Sequence, residues 1–245
     1  MNKLYHGDCL DIIEQLEPKS INMIFCDLPY GTTQNKWDSI IPLDKLWAAY
    51  EHIAKDNAAI VLTASQPFTS KLIVSNIDNF KIEWIWKKTV GSGQLNIRSQ
   101  PLKMHESVLV FYKNKPTYNE QMTIGKPYKM NRKAASFADG NYGKQKDIEV
   151  ENTGTRHAQS VIEISNPRIK NGHPTQKPVQ LCEYFIKTYS NEGDLILDNC
   201  IGSGTTAIAC INTNRKYIGI EKDEEYFKIA TKRIEELNQK VLIEP

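Results

Sequence analysis

The sequence predicts an α/β protein with a Rossmann-like, mostly parallel sheet that is interrupted by an insertion. Three observations lead there. Short apolar runs alternate with helical patterns in both end regions of the chain, as strand–helix–strand units require. Near the C-terminus, a strand runs into the glycine-rich turn Gly202-Ser203-Gly204 and then into a helix. Between the end regions, residues 113–166 are rich in Gly, Asn, Lys, Ser and Thr and show no sustained period. A loop of that length inside a compact domain is functional or an inserted subdomain.

The elements follow in order. Ile21, Met23, Ile24 and Phe25 belong to a buried strand over 20–26 that ends at Asp27 and a proline-containing turn. Leu43, Leu46, Trp47, Tyr50 and Ile53 mark one face of a helix over 43–54. A strand over 58–63 and a helix over 68–77 come next. Ile82, Trp84 and Trp86 alternate in a strand over 81–87, and 106–112 is a further strand rich in Val, Leu and aromatic residues. Order returns after Asn166-Pro167 with a helix over 178–189, its proline in the first turn. A strand (195–198), a helix (203–212), a strand (216–220) and an amphipathic helix (224–239) complete the pattern. Only one helix follows Glu221, so the remaining strands of that sheet must come from the N-terminal half. Three segments result, 1–112, 113–166 and 167–245, of which the outer two build one domain.

Composition narrows the class. With 245 residues, 40% hydrophobic and 24% charged, the chain has the make-up of an ordinary soluble protein. No apolar run approaches the roughly 20 residues needed to span a bilayer, and the first residues lack the apolar core of a signal peptide. Cys9, Cys26, Cys182, Cys200 and Cys210 are odd in number and irregularly spaced, which reads as reduced thiols in a cytoplasmic protein. No paired Cys-x-x-Cys or Cys/His cluster suggests a metal site. Net charge is only +2, but residues 81–146 hold thirteen Lys/Arg against four Asp/Glu, which is +9 and leaves −7 for the rest. Trp84, Trp86, Phe111, Tyr112, Tyr118, Tyr128, Phe137 and Tyr142 are interleaved in that stretch. Such a mixture draws a phosphate backbone and stacks on bases; a solvated basic surface over core aromatics is the plainer alternative.

The glycine-rich turn has the makings of a nucleoside cofactor site. Gly202 and Gly204 permit close backbone approach, and free amides at a helix start attract an anion. The next strand ends at Glu221, whose carboxylate can accept hydrogen bonds from ribose hydroxyls. A nicotinamide dinucleotide and S-adenosylmethionine both fit this pattern, and a tight turn that only packs a helix on a strand is a third reading.

Asp27-Leu28-Pro29-Tyr30-Gly31 lies at a strand end, at the carboxyl edge of the expected sheet. An exocyclic base amine is a poor nucleophile because its lone pair is delocalised into the ring. The Asp27 carboxylate and the Leu28 carbonyl can each accept one of its N–H bonds, which favours a tetrahedral nitrogen with a free lone pair. Pro29 stiffens the turn, and Tyr30 can stack on a base taken out of the duplex. A plain β-turn, with Asp27 capping amides and Tyr30 packing, remains the alternative.

Taken together, these residues resemble the β-group of amino-methylating DNA methyltransferases. That group carries a D-P-P-Y strip, then a target-recognition region, then the cofactor loop, in this permuted order. The resemblance extends to Gly7-Asp8-Cys9-Leu10 and to His173-Pro174-Thr175-Gln176-Lys177-Pro178, and it skips roughly 113–166. It implies an S-adenosylmethionine-dependent methyltransferase fold, with 1–112 as the catalytic half, 113–166 as the target-recognition insertion and 167–245 as the cofactor-binding half. It implies that Asp27, Leu28, Pro29 and Tyr30 hold the target amine and base, with Asp27 also beside the cofactor. Asp198, Gly202, Ser203, Gly204, Thr205 and Thr206 would line the methionine end, and Glu221 the ribose. Asp8, with Cys9 by its backbone, would approach the adenine, and Thr175 and Lys177 would close the methionine pocket.

Two departures stand out. Leu28 replaces a proline in the strip, so its carbonyl is less rigidly aimed. Asn199-Cys200 replaces Pro-Phe in the loop, so Cys200 stands where the family packs an aromatic ring against the cofactor. A leading Asp in the strip goes with N6 of adenine, a leading Ser with N4 of cytosine, so Asp27 favours adenine. Specificity is expected mainly from the region around 113–166, together with 91–100, and Arg132, Lys133, Arg156 and Arg168 are the candidates for phosphate or guanine contacts. The partners implied are double-stranded DNA, a second copy of the chain in a homodimer, and a cognate restriction endonuclease unless the enzyme is solitary or phage-borne. Competing readings are an N4-cytosine enzyme, a catalytically impaired DNA-binding relative, a protein-glutamine methyltransferase and, last, a dehydrogenase.

Overall fold

The computed structural model describes residues 2–31, 38–132, 147–166 and 176–243. The N-terminal part gives β1 (Lys3–His6), α1 (Cys9–Ile13), β2 (Ile21–Asp27), α2 (Leu43–Ile53), β3 (Ala54–Ala64), α3 (Phe68–Ser75), β4 (Phe80–Ser92) and β5 (Lys103–Phe111). Four short strands follow: β6 (Thr123–Ile124), β7 (Tyr128–Arg132), β8 (Ile148–Asn152) and β9 (Thr155–Arg156). Then come β10 (Val161–Glu163), α4 (Val179–Tyr189), β11 (Leu195–Asp198), α5 (Thr205–Asn212), β12 (Lys216–Glu221) and α6 (Glu224–Ile243).

Eight strands form one sheet in the order β1-β12-β11-β2-β3-β5-β4-β10. Five of its seven pairings are parallel; β5 alone runs against both neighbours. The expected α/β fold with a mostly parallel sheet is therefore present, and its two halves do come from the two ends of the chain.

β2 shows why the sheet holds. Met23, Ile24, Phe25 and Cys26 are each at most 1% exposed, as a strand covered on both faces requires. Ile24 and Cys26 join a core cluster with Leu46, Tyr50 and Ile53 of α2 and with Phe68 and Leu72 of α3. Phe25 points the other way and stacks on Phe185 of α4, with ring centroids 6.2 Å apart. Alternate side chains of one strand thus anchor helices on opposite faces.

The structure adds what the sequence pattern missed. β1 and α1 precede the first expected strand, and Asp8 caps α1 by accepting the Leu10 amide at 3.0 Å. β4 runs on to Ser92, past the expected end at 87, and pairs with β5 as a long hairpin.

The described residues fall into two compact units, Met1–Asn119 with Ser160–Pro245, and Glu120–Gln159. The second lies inside the aperiodic stretch and holds two small antiparallel pairs, β6 with β9 and β7 with β8. Within it, the Arg156 guanidinium donates to Asn152 Oδ1 at 2.6 Å and to the carbonyls of Thr155 and Lys126, and lies 4.7 Å from the Tyr128 ring centroid. Among the described residues, no helix is long and apolar enough to cross a membrane.

Candidate active site

Parallel pairing sets the carboxyl ends of β1, β12, β11, β2 and β3 side by side, and each carries a polar group. Asp8 lies just past β1, Glu221 ends β12, Asp198 ends β11, Asp27 ends β2, and Thr63 is paired with Asp27 across the β2–β3 ladder. Ligands of open α/β sheets bind along this edge.

Asp27 is the best-held of these groups. Its Oδ2 accepts from Lys177 Nζ at 2.7 Å, and its Oδ1 accepts the Thr63 hydroxyl in a short hydrogen bond. The Tyr30 hydroxyl lies 2.7 Å from Asp27 Oδ1 and 3.0 Å from Thr63 Oγ1, and its one proton serves either oxygen. The Tyr30 ring stacks on Phe68 with centroids 5.4 Å apart. Burial, and then the Asp27 charge, push the Tyr30 phenol up, so it stays protonated as a donor. Leu28 has its side chain in the core, 3% exposed. Burial of that side chain fixes the backbone where the family uses a proline ring. Gly31, at φ +66°, then turns the chain, and its amide donates to Asp38 Oδ1 at 2.8 Å.

Behind Asp27 runs a chain of charges. Lys177 Nζ, 9% exposed, also lies 3.2 Å from Glu106 Oε2, and the other oxygen of Glu106 pairs closely with Lys88, itself 7% exposed. Burial raises the Glu106 carboxyl, but the Lys177 and Lys88 ammoniums outweigh that and hold it at about 2. Burial also works against the Lys177 charge, yet Asp27, Tyr30 and Glu106 lift it well above the usual lysine value. Lys177 thus pairs directly with the strip.

On the cofactor side, Asp198 accepts the Cys200 amide at 3.0 Å and the Thr206 hydroxyl at 2.5 Å. Burial nevertheless raises its carboxyl to about 7. Gly202 and Gly204 both take positive φ, +53° and +84°. A Cβ on Gly202 would meet no described atom within 4 Å, whereas one on Gly204 would press on the α6 backbone at Ala230, 3.2 Å away. Gly202 therefore leaves space for a ligand, and Gly204 lets α6 close on the turn. Thr205 Oγ1 is buried without a hydrogen-bond partner among the described residues. The Ser203 hydroxyl bonds to Gln176 Oε1 at 2.8 Å, and Arg233 of α6 donates to both residues, so Ser203 braces the loop.

Glu221 accepts the amides of Gly202 and Asp223, each at 2.8 Å, which pins the strand end to the glycine turn. Burial still raises its carboxyl. Asp8 pairs with Lys222 at 3.0 Å, which lowers its carboxyl. Cys9, Cys26 and Cys200 are free thiols, the first two buried and the third partly so. Asn199, also buried, accepts the Tyr50 hydroxyl at 2.5 Å. Thr175 lies outside the described residues.

Asp27 to Tyr30 and Lys177 thus meet at one spot, and Asp198 to Thr206 with Glu221 form the adjoining turn. Thr63, Glu106, Lys88 and Arg233 were missed. Thr63, Glu106 and Lys88 lie in or next to apolar runs, a weak signal until the neighbouring strand is known, and Arg233 is one of several charges on the amphipathic α6. Arg156, a candidate for DNA contact, spends its donors inside its own unit. A cavity of about 290 Å³ beside the start of β3, lined by Trp47, Tyr50, Tyr112 and others, contains none of the expected site residues.

The chain is similar to known proteins along most of its length. The chain is 28% identical over 250 residues to "Type II methyltransferase M1.MboII" of Moraxella bovis, covering 94% of this chain and 95% of that protein. It is 25% identical over 255 residues to "DNA adenine methyltransferase YhdJ" of Escherichia coli (strain K12), covering 95% and 82%. The solved M1.HpyAVI–SAM complex superposes with a TM-score of 0.65 at 27% identity, covering 95% of this chain and all of that one. The model of a DNA methylase family matches residues 21–232, a span that takes in both the Asp27 strip and the Gly202 turn, and the chain belongs to that family.

Proposed function

We propose that the chain transfers a methyl group from S-adenosylmethionine to N6 of adenine in double-stranded DNA. The observation that carries this is the adjacency of β2 and β11, which sets the Asp27 strip beside the Asp198–Thr206 turn. The turn's own chemistry suits this cofactor: an orphaned Thr205 hydroxyl, open space at Gly202 and the Glu221 carboxylate at the next strand end. Asp198, Ser203, Gly204 and Thr206 would hold the methionine end, Glu221 the ribose, and Asp8 with Cys9 the adenine. Bound there, the sulfonium supplies an electrophilic methyl group.

The rest falls to the chain's own groups. Asp27 and the Leu28 carbonyl each accept a hydrogen bond from one amine N–H, which turns the nitrogen lone pair outward. A methylated amine nitrogen would carry one proton too many, and Asp27 is the base placed to take it. Tyr30 and Phe68 offer the aromatic wall for the displaced base. Asp27 at the head of the strip supports adenine, as does the name of the Escherichia coli relative.

DNA would be met by residues 87–105, which present Lys87, Arg98 and Lys103 at the surface and include no acid. The 113–166 stretch would read the target, with Arg132 among its candidate basic residues; Lys133 and Arg168 lie outside the described residues. Relatives named as type II methyltransferases support a cytoplasmic restriction–modification setting with a cognate endonuclease. A homodimer is the assembly expected, and sedentation-velocity measurement by ultracentrifuge checks it. The central test is incubation with labelled S-adenosylmethionine and mixed duplex DNA, followed by mapping of the modified base. Transfer to N6 of adenine, lost in Asp27→Ala, is expected; label only on cytosine, or none on any DNA, overturns the reading.

A further inference from the structure

We propose that Glu106 and Lys88 are positioning residues for the methyl transfer, fixing the Asp27 carboxylate through Lys177. The inference rests on the reading of Asp27 as acceptor of the target amine. Four groups of alternating sign run from β4 to the strip: Lys88, Glu106, Lys177 and Asp27. They come from β4, β5, the segment before α4, and β2. The three inner side chains are between 9% and 12% exposed, while that of Asp27 keeps 29% and faces the edge where substrate enters.

Stability alone is a poor reason for this arrangement. Burying ions is expensive, and apolar side chains of similar volume commonly serve a core as well or better. What the arrangement does supply is geometry. A lysine has four rotatable bonds, so one carboxylate cannot fix its ammonium. Here two carboxylates on different strands flank it: Asp27 Oδ2 accepts its hydrogen bond at 2.7 Å, and Glu106 Oε2, which has no hydrogen-bond partner of its own among the described residues, attracts it as an ion pair at 3.2 Å. Glu106 in turn is held by Lys88, so it cannot swing with Lys177. With Oδ2 tied to Lys177 and Oδ1 to Thr63, Asp27 has one orientation in which its remaining lone pairs meet an amine.

Glu106 also helps keep Lys177 cationic. The groups around that ammonium are Asp27 and Tyr30 from the strip, Glu106 from β5 with Lys88 behind it, and the Cys182 thiol of α4. Removing the Glu106 charge lowers the pH at which Lys177 loses its proton and releases Asp27.

The test compares wild type, Glu106→Gln and the double variant Lys88→Met/Glu106→Leu, which exchanges the outer ion pair for apolar groups. Wild-type transfer to DNA is measured first; if there is none, the underlying reading fails and not this one. Thermal melting and S-adenosylhomocysteine affinity monitor the fold. In both variants kcat should fall by roughly ten- to a hundredfold, as a displacement near 1 Å at a reacting group can produce. KM for DNA and cofactor should stay within about twofold, and the alkaline limb of kcat against pH should move to lower pH. A purely structural pair predicts otherwise: the apolar double variant would fold and recover wild-type kcat and pH profile. That result overturns the proposal, and so does failure of both variants to fold.

Discussion

Asp198 should make cofactor affinity depend on pH around neutrality. Its carboxyl is 4% exposed, and burial raises it to about 7 although the Thr206 hydroxyl and the Cys200 amide favour the ionised form. The methionine end of S-adenosylmethionine carries an ammonium, and an ammonium bound beside Asp198 draws the proton off it. Binding therefore releases a proton wherever the free carboxyl is neutral. At pH 6 about nine-tenths of the free protein holds that proton, so affinity should be roughly tenfold below its plateau; by pH 8 the loss should be slight. Calorimetry with S-adenosylhomocysteine, in buffers of different ionisation enthalpy, reads both the affinity and the proton count. Close to one proton should leave at pH 6 and almost none at pH 8, and Asp198→Asn should flatten both curves. The same group sets a stability trend in the unliganded protein. The folded carboxyl keeps its proton to higher pH than the unfolded one at 3.8, so its contribution is fully present below that value and lost as pH rises to about 7. The loss amounts to roughly 4 kcal/mol at most. An affinity that is flat across this range, with no proton released at pH 6, would refute the placement of the methionine ammonium on Asp198.

Three further outcomes are expected. Gly204→Ala should lower stability by about 2 kcal/mol or more in urea unfolding and weaken cofactor binding, because φ +84° is strained for alanine and its Cβ presses on Ala230. Unchanged unfolding would mean that α6 yields freely. Tyr50→Phe should cost about 1–3 kcal/mol, seen as a lowered Tm, since the buried Asn199 Oδ1 loses the hydroxyl that lies 2.5 Å away. Arg98→Ala and Lys103→Ala should each reduce the slope of log affinity against log salt for DNA by about 1, with melting unchanged; an unaltered slope removes the β4–β5 hairpin from the DNA interface.

The strip and the cofactor turn were legible because each is written in consecutive residues. An apolar run that stops at Asp27, and glycines between a strand and a helix, are local signals with local causes. β1 was not legible: four residues at a sheet edge give no period, and their role as a strand comes only from pairing with β12. The partners of Arg156 were hidden for a related reason: its charge shows in the sequence, while the nearness of Asn152, Tyr128 and the carbonyls around it does not. The hidden half of the site has one physical origin, the order in which strands become neighbours. Thr63 reaches Asp27 because β3 pairs with β2 in a register that sets the two residues opposite each other. Glu106 reaches Lys88 because antiparallel β5 brings its first residues back to the carboxyl edge, beside the far end of β4. A strand reversed in direction thus delivers its N-terminal charge to the edge where its parallel neighbours end. The acid buried behind the strip is a consequence of that reversal, and no periodicity within the strand itself announces it.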